Sequence, residues 1–162
     1  MKKLKDAESS TPKFFAGANR LEKKLGPVLF QLPPHWKVNV ERLEEFFSAI
    51  EPRHQYAFEF RDESWYTREV YDVLKRNNAA LCIHDLGGKQ SPMEITASFA
   101  YVRFHGPTAA KYSGSYSDAQ LDEWAERFNG WRRKLKGIYA YFNNDVGGCA
   151  PRNALKLKTL SA

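Results

Sequence analysis

Five short segments of the chain share one pattern, an apolar run rich in β-branched and aromatic residues that ends in polar or charged side chains. An apolar run without alternation is typical of a strand that is covered on both faces, as in a parallel sheet. We therefore predict five parallel strands in sequence order. They fall at residues 28–32, 56–61, 80–85, 101–105 and 138–144.

Helical patterns separate these segments, and the first of them precedes the first strand. Thr11 is a suitable N-cap, and Pro12 is a residue that favours the first helical position. The spacing then predicts one helix that ends at Gly26, with an apolar stripe of Phe14, Ala18, Leu21 and Leu25.

Capping residues mark the later helices. Asn39 and Thr67 are expected to cap the second and third helices, and Ser117 with Gln120 has the signature of a capping box for the fourth. Strands that alternate with helices indicate right-handed βαβ units, and hence an α/β fold. The side chains expected to pack on the sheet from these helices are Leu43, Phe46, Val70, Val73, Trp124 and Phe128.

Two connections depart from this rhythm. Residues 86–98 are rich in turn formers, which predicts a short, irregular crossover. Residues 106–117 form a loop after a strand end and carry Tyr112 and Tyr116. This loop could be a lid over a ligand, or a surface loop whose tyrosines pack on the sheet.

Composition limits the class of protein. The 162 residues are 43% hydrophobic, which suits one compact domain over 1–162. No apolar stretch approaches the roughly 20 residues of a membrane span, so we expect no membrane association. Cys82 and Cys149 are isolated, and with no visible signal peptide they favour a cytoplasmic protein.

The net charge of +6 is concentrated at the termini. The net charge is +4 for residues 1–25, −4 for 26–130 and +6 for 131–162. Because no basic stripe is interleaved with aromatic residues, solvated helix faces explain this charge better than a nucleic-acid surface does. Nucleic acid is therefore an unfavoured partner, although the basic termini keep it as an alternative.

Polar residues at the ends of all five predicted strands suggest one shared site, because chemistry in parallel sheets and β/α barrels collects where strands end. His105 is the natural acid/base candidate, and Glu59 and Asp85 are further catalytic candidates. The candidate ligand-binding residues are Gln31, Arg61, Trp65, Arg103, Tyr112, Tyr116, Asn143 and Asn144.

The residue types indicate individual roles. Arg61 and Arg103 could hold a carboxylate or phosphate, while Gln31 and Asn143 could orient hydroxyl groups. Trp65 could stack on a ligand or simply pack at the rim. Residues 143–145 could instead provide turn and capping chemistry.

Alternation along the strands directs Glu59 with Arg61, and Arg103 with His105, to one face each. If alternate strands share a layer, Glu59 would meet Arg103 there. This cluster could then be a structural ion pair that fills a barrel, or a functional site. Pairs such as Asp85 with His84 are only weak evidence for a metal site, so we expect no metal. The glycine spacing matches no nucleotide-binding motif, so we expect no cofactor.

Several longer motifs resemble the YecE-like family, catalogued as domain of unknown function 72. The motifs occur in order over nearly the whole chain, at residues 24–34, 58–61, 64–65, 83–85, 96–97, 101–106, 141–145 and 150–154. The resemblance implies a TIM-like β/α barrel whose biochemical activity has no settled assignment.

Members of that family are longer and open with three further strands, so the resemblance identifies the five strands as the fourth to eighth of a barrel. The expected fold is thus a partial TIM-like (β/α) barrel, a truncated form. The first and last strands would then be unprotected edges, which predicts self-association.

Two classes of function follow from the sequence. The first is an enzyme, or a ligand-binding barrel, for a small polar and possibly anionic molecule at the strand ends. The second is a non-catalytic module that binds protein or nucleic acid, or an inactive fragment of a barrel. Ligand held among Glu59, Arg103 and His105 would favour the first class, and salt-dependent binding of nucleic acid would favour the second.

Overall fold

The computed structural model describes residues 4–110 and 112–161, and it contains parallel strands that alternate with helices. The predicted α/β fold class is therefore confirmed, whereas closure into a barrel stays a prediction. The strands are β1 (Val28–Gln31), β2 (Tyr56–Glu59), β3 (Ala80–Leu86), β4 (Lys89–Gln90), β5 (Phe99–Phe104) and β6 (Gly137–Phe142). The α-helices are α1 (Ala7–Ala18), α2 (Val40–Ser48), α3 (Arg68–Arg76), α4 (Asp118–Arg132) and α5 (Cys149–Leu160).

The chain forms two compact units, and the division falls inside β3, between Leu81 and Cys82. The arrangement of residues 1–162 as a single domain stays a prediction. Among the described residues, no helix has both the length and the apolar character needed to cross a lipid bilayer.

In the first unit, β1 pairs in parallel with β2, and β2 pairs in parallel with the start of β3. Phe30 and Phe58 are cross-strand partners in this register, and their rings stack with centroids 5.4 Å apart. They join an aromatic and aliphatic core with the inner faces of α2 and α3. The residues that these two helices bury are Leu43, Phe46, Val70, Val73 and Leu74.

Both predicted caps of the first unit are confirmed. The Asn39 side chain accepts a hydrogen bond from the Arg42 amide at 2.6 Å, and the Thr67 hydroxyl accepts one from the Val70 amide at 3.4 Å. Each bond satisfies one of the amide groups that a helix start leaves without a partner in the helix.

The predicted start of the first helix is wrong. Helix α1 begins at Ala7, and the Thr11 hydroxyl donates to the Ala7 carbonyl at 2.8 Å instead of capping. The helix ends at Ala18 and gives way to a 3₁₀ segment, so the 3.6-residue spacing does not continue to Leu25. Consequently Phe15 is buried, whereas the predicted inner residues Phe14 and Leu21 are each 53% exposed.

In the second unit, β3, β5 and β6 run parallel to one another. The short β4 returns antiparallel against the end of β3, and residues 91–98 adopt no regular structure, which confirms the irregular crossover. The capping box of Ser117 and Gln120 is present at the start of α4. The core of this unit includes Ile83, Val102, Phe104, Leu121, Trp124, Phe128 and Leu157.

The two terminal strands are less buried than the inner ones. Residues of β2 are buried throughout, whereas β1 and β6 contain only half-buried and exposed residues. Self-association through β1 and β6 stays a prediction.

Candidate functional site

The strand register divides the sheet of the second unit into two faces. Arg103 is the cross-strand partner of His84 on one side and of Tyr141 on the other. The neighbours of Arg103 in sequence, Val102 and Phe104, pack in the helix-covered core. Because successive strand residues point to opposite faces, these three partners occupy the face away from that core. We call this the polar face of the second unit.

A hydrogen bond fixes the central arginine of the polar face. The Arg103 Nε donates to the Asn143 Oδ1 at 3.2 Å, and both side chains are half-buried. Asn143 follows directly after β6, where its amide donates to the Phe104 carbonyl at 2.7 Å. Two predicted ligand-binding residues from different strand ends are thus brought together, and their chemistry suits a carboxylate or phosphate.

His105 follows β5 and is fully buried. Its ring lies 6.3 Å from the His84 ring and 5.4 Å from the Tyr112 ring, measured between centroids. The Tyr112 amide also donates to the His105 carbonyl at 2.8 Å. Tyr112, itself 43% exposed, therefore covers His105, a placement that supports the lid interpretation for this tyrosine.

Two tyrosines that the sequence analysis did not select belong to the same face. Tyr101 lies two residues before Arg103, and Tyr141 lies two residues before Asn143. Their rings stack with centroids 5.0 Å apart and planes inclined by 26°. Burial raises the pKa of Tyr101, and the nearby Tyr141 and Cys82 raise it further. The signal in the sequence was the two-residue spacing, which places each tyrosine on the face of the polar residue that follows.

Asp85 is separated from the polar face because it alternates with His84 along β3. Its buried carboxylate accepts a hydrogen bond at 3.3 Å from the side chain of Gln90, its cross-strand partner in the hairpin of β3 and β4. Burial raises the pKa of Asp85, against the opposing effects of the Gln90 and Gly88 hydrogen bonds and of the His105 and Arg127 charges. This placement favours a role in the turn over the predicted catalytic one.

Tyr116 and Asn144 are buried and hold segments of the second unit together. The Tyr116 hydroxyl accepts a hydrogen bond from the Gly106 amide at 3.1 Å, and its ring packs against Phe104. Burial is also the main cause that raises the pKa of Tyr116. For Tyr116 the packing interpretation of the loop is therefore the favoured one.

The Asn144 side chain donates to the Gly114 carbonyl at 2.8 Å and to the Asn153 Oδ1 at 2.9 Å. The same Asn153 oxygen accepts from the Tyr116 amide at 3.2 Å. This network joins the end of β6, the 106–117 loop and α5. It supports the structural alternative for Asn144, and Asn153 is a residue that sequence reasoning missed.

The first unit carries the remaining predicted residues. Glu59, at the end of β2, is fully buried and forms an ion pair with Arg61, whose side chain is 14% exposed. Gln31 is the cross-strand partner of Glu59 and is exposed. Alternation correctly placed Glu59 with Arg61, and the proposed meeting of Glu59 with Arg103 stays a prediction.

Trp65 is also part of the first unit and is wholly buried. Its Nε1 donates to the Trp36 carbonyl at 2.7 Å, and its ring stacks on Phe60 with centroids 4.8 Å apart. These contacts favour packing over stacking on a ligand.

A cavity of about 760 Å³ lies on the helix-covered side of the second unit and not on the polar face. None of the predicted site residues lines this cavity. Its apolar lining includes Phe128, Leu135, Ile138, Phe142 and Leu157. Within residues 4–110 and 112–161, no three histidine, cysteine or acidic side chains come together in a way that could hold a metal ion.

Known proteins resemble this chain in sequence and in structure. The UPF0759 protein YunF of Bacillus subtilis (strain 168) is 28% identical over an alignment of 166 positions that covers 85% of this chain and 58% of YunF. A DUF72 family protein of Thermotoga maritima has a TM-score of 0.86 and 28% identity, over 96% of this chain and 66% of that chain. A DUF72 family protein of Enterococcus faecalis has a TM-score of 0.85 at 22% identity, over 95% and 66%.

The chain thus spans 58% of the length of YunF and 66% of each of the two solved chains. The model of the family described as "Protein of unknown function DUF72" matches residues 1–162. The chain therefore belongs to the DUF72 family, as the sequence motifs predicted.

Proposed function

We propose that the protein binds a small polar, anionic molecule on the polar face of the second unit. The observation that carries the proposal is the Arg103 guanidinium held by Asn143 at a strand end, at 3.2 Å. A guanidinium whose orientation is fixed loses less conformational freedom when it binds a carboxylate or phosphate. Arg103 would supply charge and direction, and Asn143 would keep the guanidinium in position.

His105 gives this site an acid/base group, because an imidazole can accept a proton at one ring nitrogen and donate one from the other. Tyr112 covers the His105 ring, so displacement of this tyrosine would control access to it. On this basis we propose proton transfer as the chemistry of an enzymatic form, with Arg103 as the group that positions the anion.

The competing function is that of a module whose strand-end charges only stabilise the fold. The first unit favours that alternative for its own residues, because Glu59 is fully buried against Arg61. In the second unit, Arg103 is half-buried and donates one of its hydrogen bonds to the neutral amide of Asn143. Its cross-strand neighbour Tyr141 is 42% exposed, so this face is open to a bound anion, and that openness supports the binding function.

Calorimetric titration of the 162-residue chain with inorganic phosphate, and separately with citrate, tests the proposal. We expect saturable binding of at least one of these anions. Arg103→Gln should weaken that binding by about 10-fold to 100-fold, because a charge-assisted hydrogen bond contributes about 1.5–3 kcal/mol.

Arg133→Gln is the matched control, because Arg133 is an exposed arginine at the end of α4. It should leave the affinity unchanged. An equal loss in the two variants would indicate nonspecific attraction to positive charge, and that result would overturn the proposal. Failure of both anions to bind would overturn it as well.

His105→Asn separates the two parts of the proposal. We expect this variant to retain anion binding, because Arg103 and Asn143 remain in place. If His105→Asn remains folded but loses anion binding as Arg103→Gln does, His105 takes part in binding the anion. That result would contradict the assignment of binding to Arg103 and of proton transfer to His105.

A further inference from the structure

An aromatic surface adjoins the anion-binding arginine on the polar face of the second unit. Tyr141 is the cross-strand partner of Arg103, so the two side chains leave the same face from neighbouring strands. One side of the Tyr141 ring stacks on Tyr101 at 5.0 Å. Nevertheless, Tyr141 remains 42% exposed.

Of the two aromatic pairs that β5 and β6 form on this face, only the pair beside Arg103 has an exposed member. One step back along the same strands, Phe99 and Tyr139 meet edge to face at 5.8 Å, with Phe99 buried and Tyr139 half-buried. Only the pair next to Arg103 stacks nearly parallel among these four rings. A nearly parallel pair with one exposed member offers a flat surface to a third ring.

We propose that the ligand of this site carries a flat aromatic ring bonded to its anionic group, so that the ring stacks on Tyr141 while Arg103 binds the anion. This inference rests on the proposed function, because it assigns the ligand class of the same site. The Tyr101 ring supports Tyr141 from one side, which limits the rotation of Tyr141 and prepares its other side for stacking.

The strand register supports the same class of ligand. Arg103 and Tyr141 are cross-strand partners, so an aromatic phosphate or carboxylate could meet the guanidinium and the Tyr141 ring at the same time. The Arg103 charge also lowers the pKa of Tyr101, against the larger effect of burial, which agrees with a guanidinium close to this aromatic pair. A simple anion would use only Arg103 and Asn143.

The experiment compares phenyl phosphate with inorganic phosphate by calorimetric titration of the 162-residue chain. We expect phenyl phosphate to bind about threefold to tenfold more tightly, the increase typical of one aromatic contact. Tyr141→Leu should remove this advantage and leave the affinity for inorganic phosphate unchanged. Tyr141→Phe should retain the advantage, because the ring is preserved.

Phe14→Leu is the matched control, since Phe14 is an exposed ring on α1, in the first unit. It should change neither affinity. If both phosphates bind equally and both are lost in Arg103→Gln, the aromatic inference fails while the proposed anion site stands. If neither phosphate binds, the inference and the proposed function both fail. A Tyr141→Leu variant that loses both ligands equally would assign Tyr141 a purely structural role and overturn the inference.

Discussion

The same sequence pattern, an apolar strand followed by charged residues, produces a closed ion pair in the first unit and an open polar face in the second. Each unit has an arginine near the end of a strand, Arg61 after β2 and Arg103 within β5, yet the first unit buries Glu59 completely against Arg61. In the second unit, Arg103 donates one hydrogen bond to the neutral amide of Asn143, and Tyr141 beside it is 42% exposed. An exposed neighbour beside the arginine, in place of a fully buried acid, is what makes the second unit the candidate binding site.

The largest expected effect is on stability, at the ion pair of the first unit. Arg61→Leu leaves the Glu59 carboxylate buried beside an apolar side chain, which should lower the free energy of unfolding by about 3–5 kcal/mol. Arg103→Leu should cost less, about 1–2 kcal/mol for the hydrogen bond to Asn143, because that bond ends on a neutral amide and its loss strands no charge there. Urea denaturation of both variants measures the contrast.

A double variant provides the control for that contrast. Changing Glu59→Gln together with Arg61→Leu removes the buried charge and should recover most of the lost stability. Equal losses for Arg61→Leu and Arg103→Leu would contradict the distinction between the two units.

The next effect distinguishes two adjacent asparagines. Asn144→Ala removes donors to Gly114 and Asn153 inside the protein, so we expect a loss of about 1–3 kcal/mol in unfolding free energy. Asn143→Ala should change stability less, because Asn143 is half-buried, but it should weaken phosphate binding by freeing the Arg103 side chain. Urea denaturation and phosphate calorimetry on these two variants measure both effects. A larger stability loss in Asn143→Ala, with weaker phosphate binding in Asn144→Ala, would contradict the roles assigned to the two residues.

Much of this architecture could be predicted from local sequence. Caps at Asn39, Thr67 and Ser117 act through bonds to amides three residues away, so short segments specify them. The start of α1 could not be predicted in this way. The Thr11 hydroxyl could cap a new helix or bond back to Ala7 within an existing one, and the sequence Thr-Pro permits both.

The candidate site was predicted only in part, because the sides of a strand buried on both faces look alike in sequence. Nothing local distinguishes His84, on the polar face, from Asp85, on the opposite one. Trp65 and Asn144 were selected for their chemistry, but distant partners decide their roles. The Trp36 carbonyl and the Asn153 side chain hold them in place.

The smallest expected effect is the pH dependence caused by Asp85. Burial raises its pKa in the folded protein, so the folded state binds this proton more readily than the unfolded state does. The ionised carboxylate therefore lowers stability at neutral pH, and that loss diminishes as the pH falls. Asp85→Asn should be more stable than the unchanged protein at pH 7, and the difference should narrow toward pH 4.

Denaturation at several pH values measures this difference. If the stability advantage of Asp85→Asn over the unchanged protein increases as the pH falls, the ionised carboxylate stabilises the fold. In that case the partners of Asp85 would outweigh its burial.

An amide NMR titration of the 162-residue chain with inorganic phosphate tests directly whether the second unit carries the accessible anion site and the first unit a closed ion pair. We predict saturable shift changes centred on the amides of Arg103, His105 and Asn143, with those of Glu59 and Arg61 unmoved. Shift changes centred on Glu59 and Arg61, or confined to the basic terminal segments, would contradict this assignment.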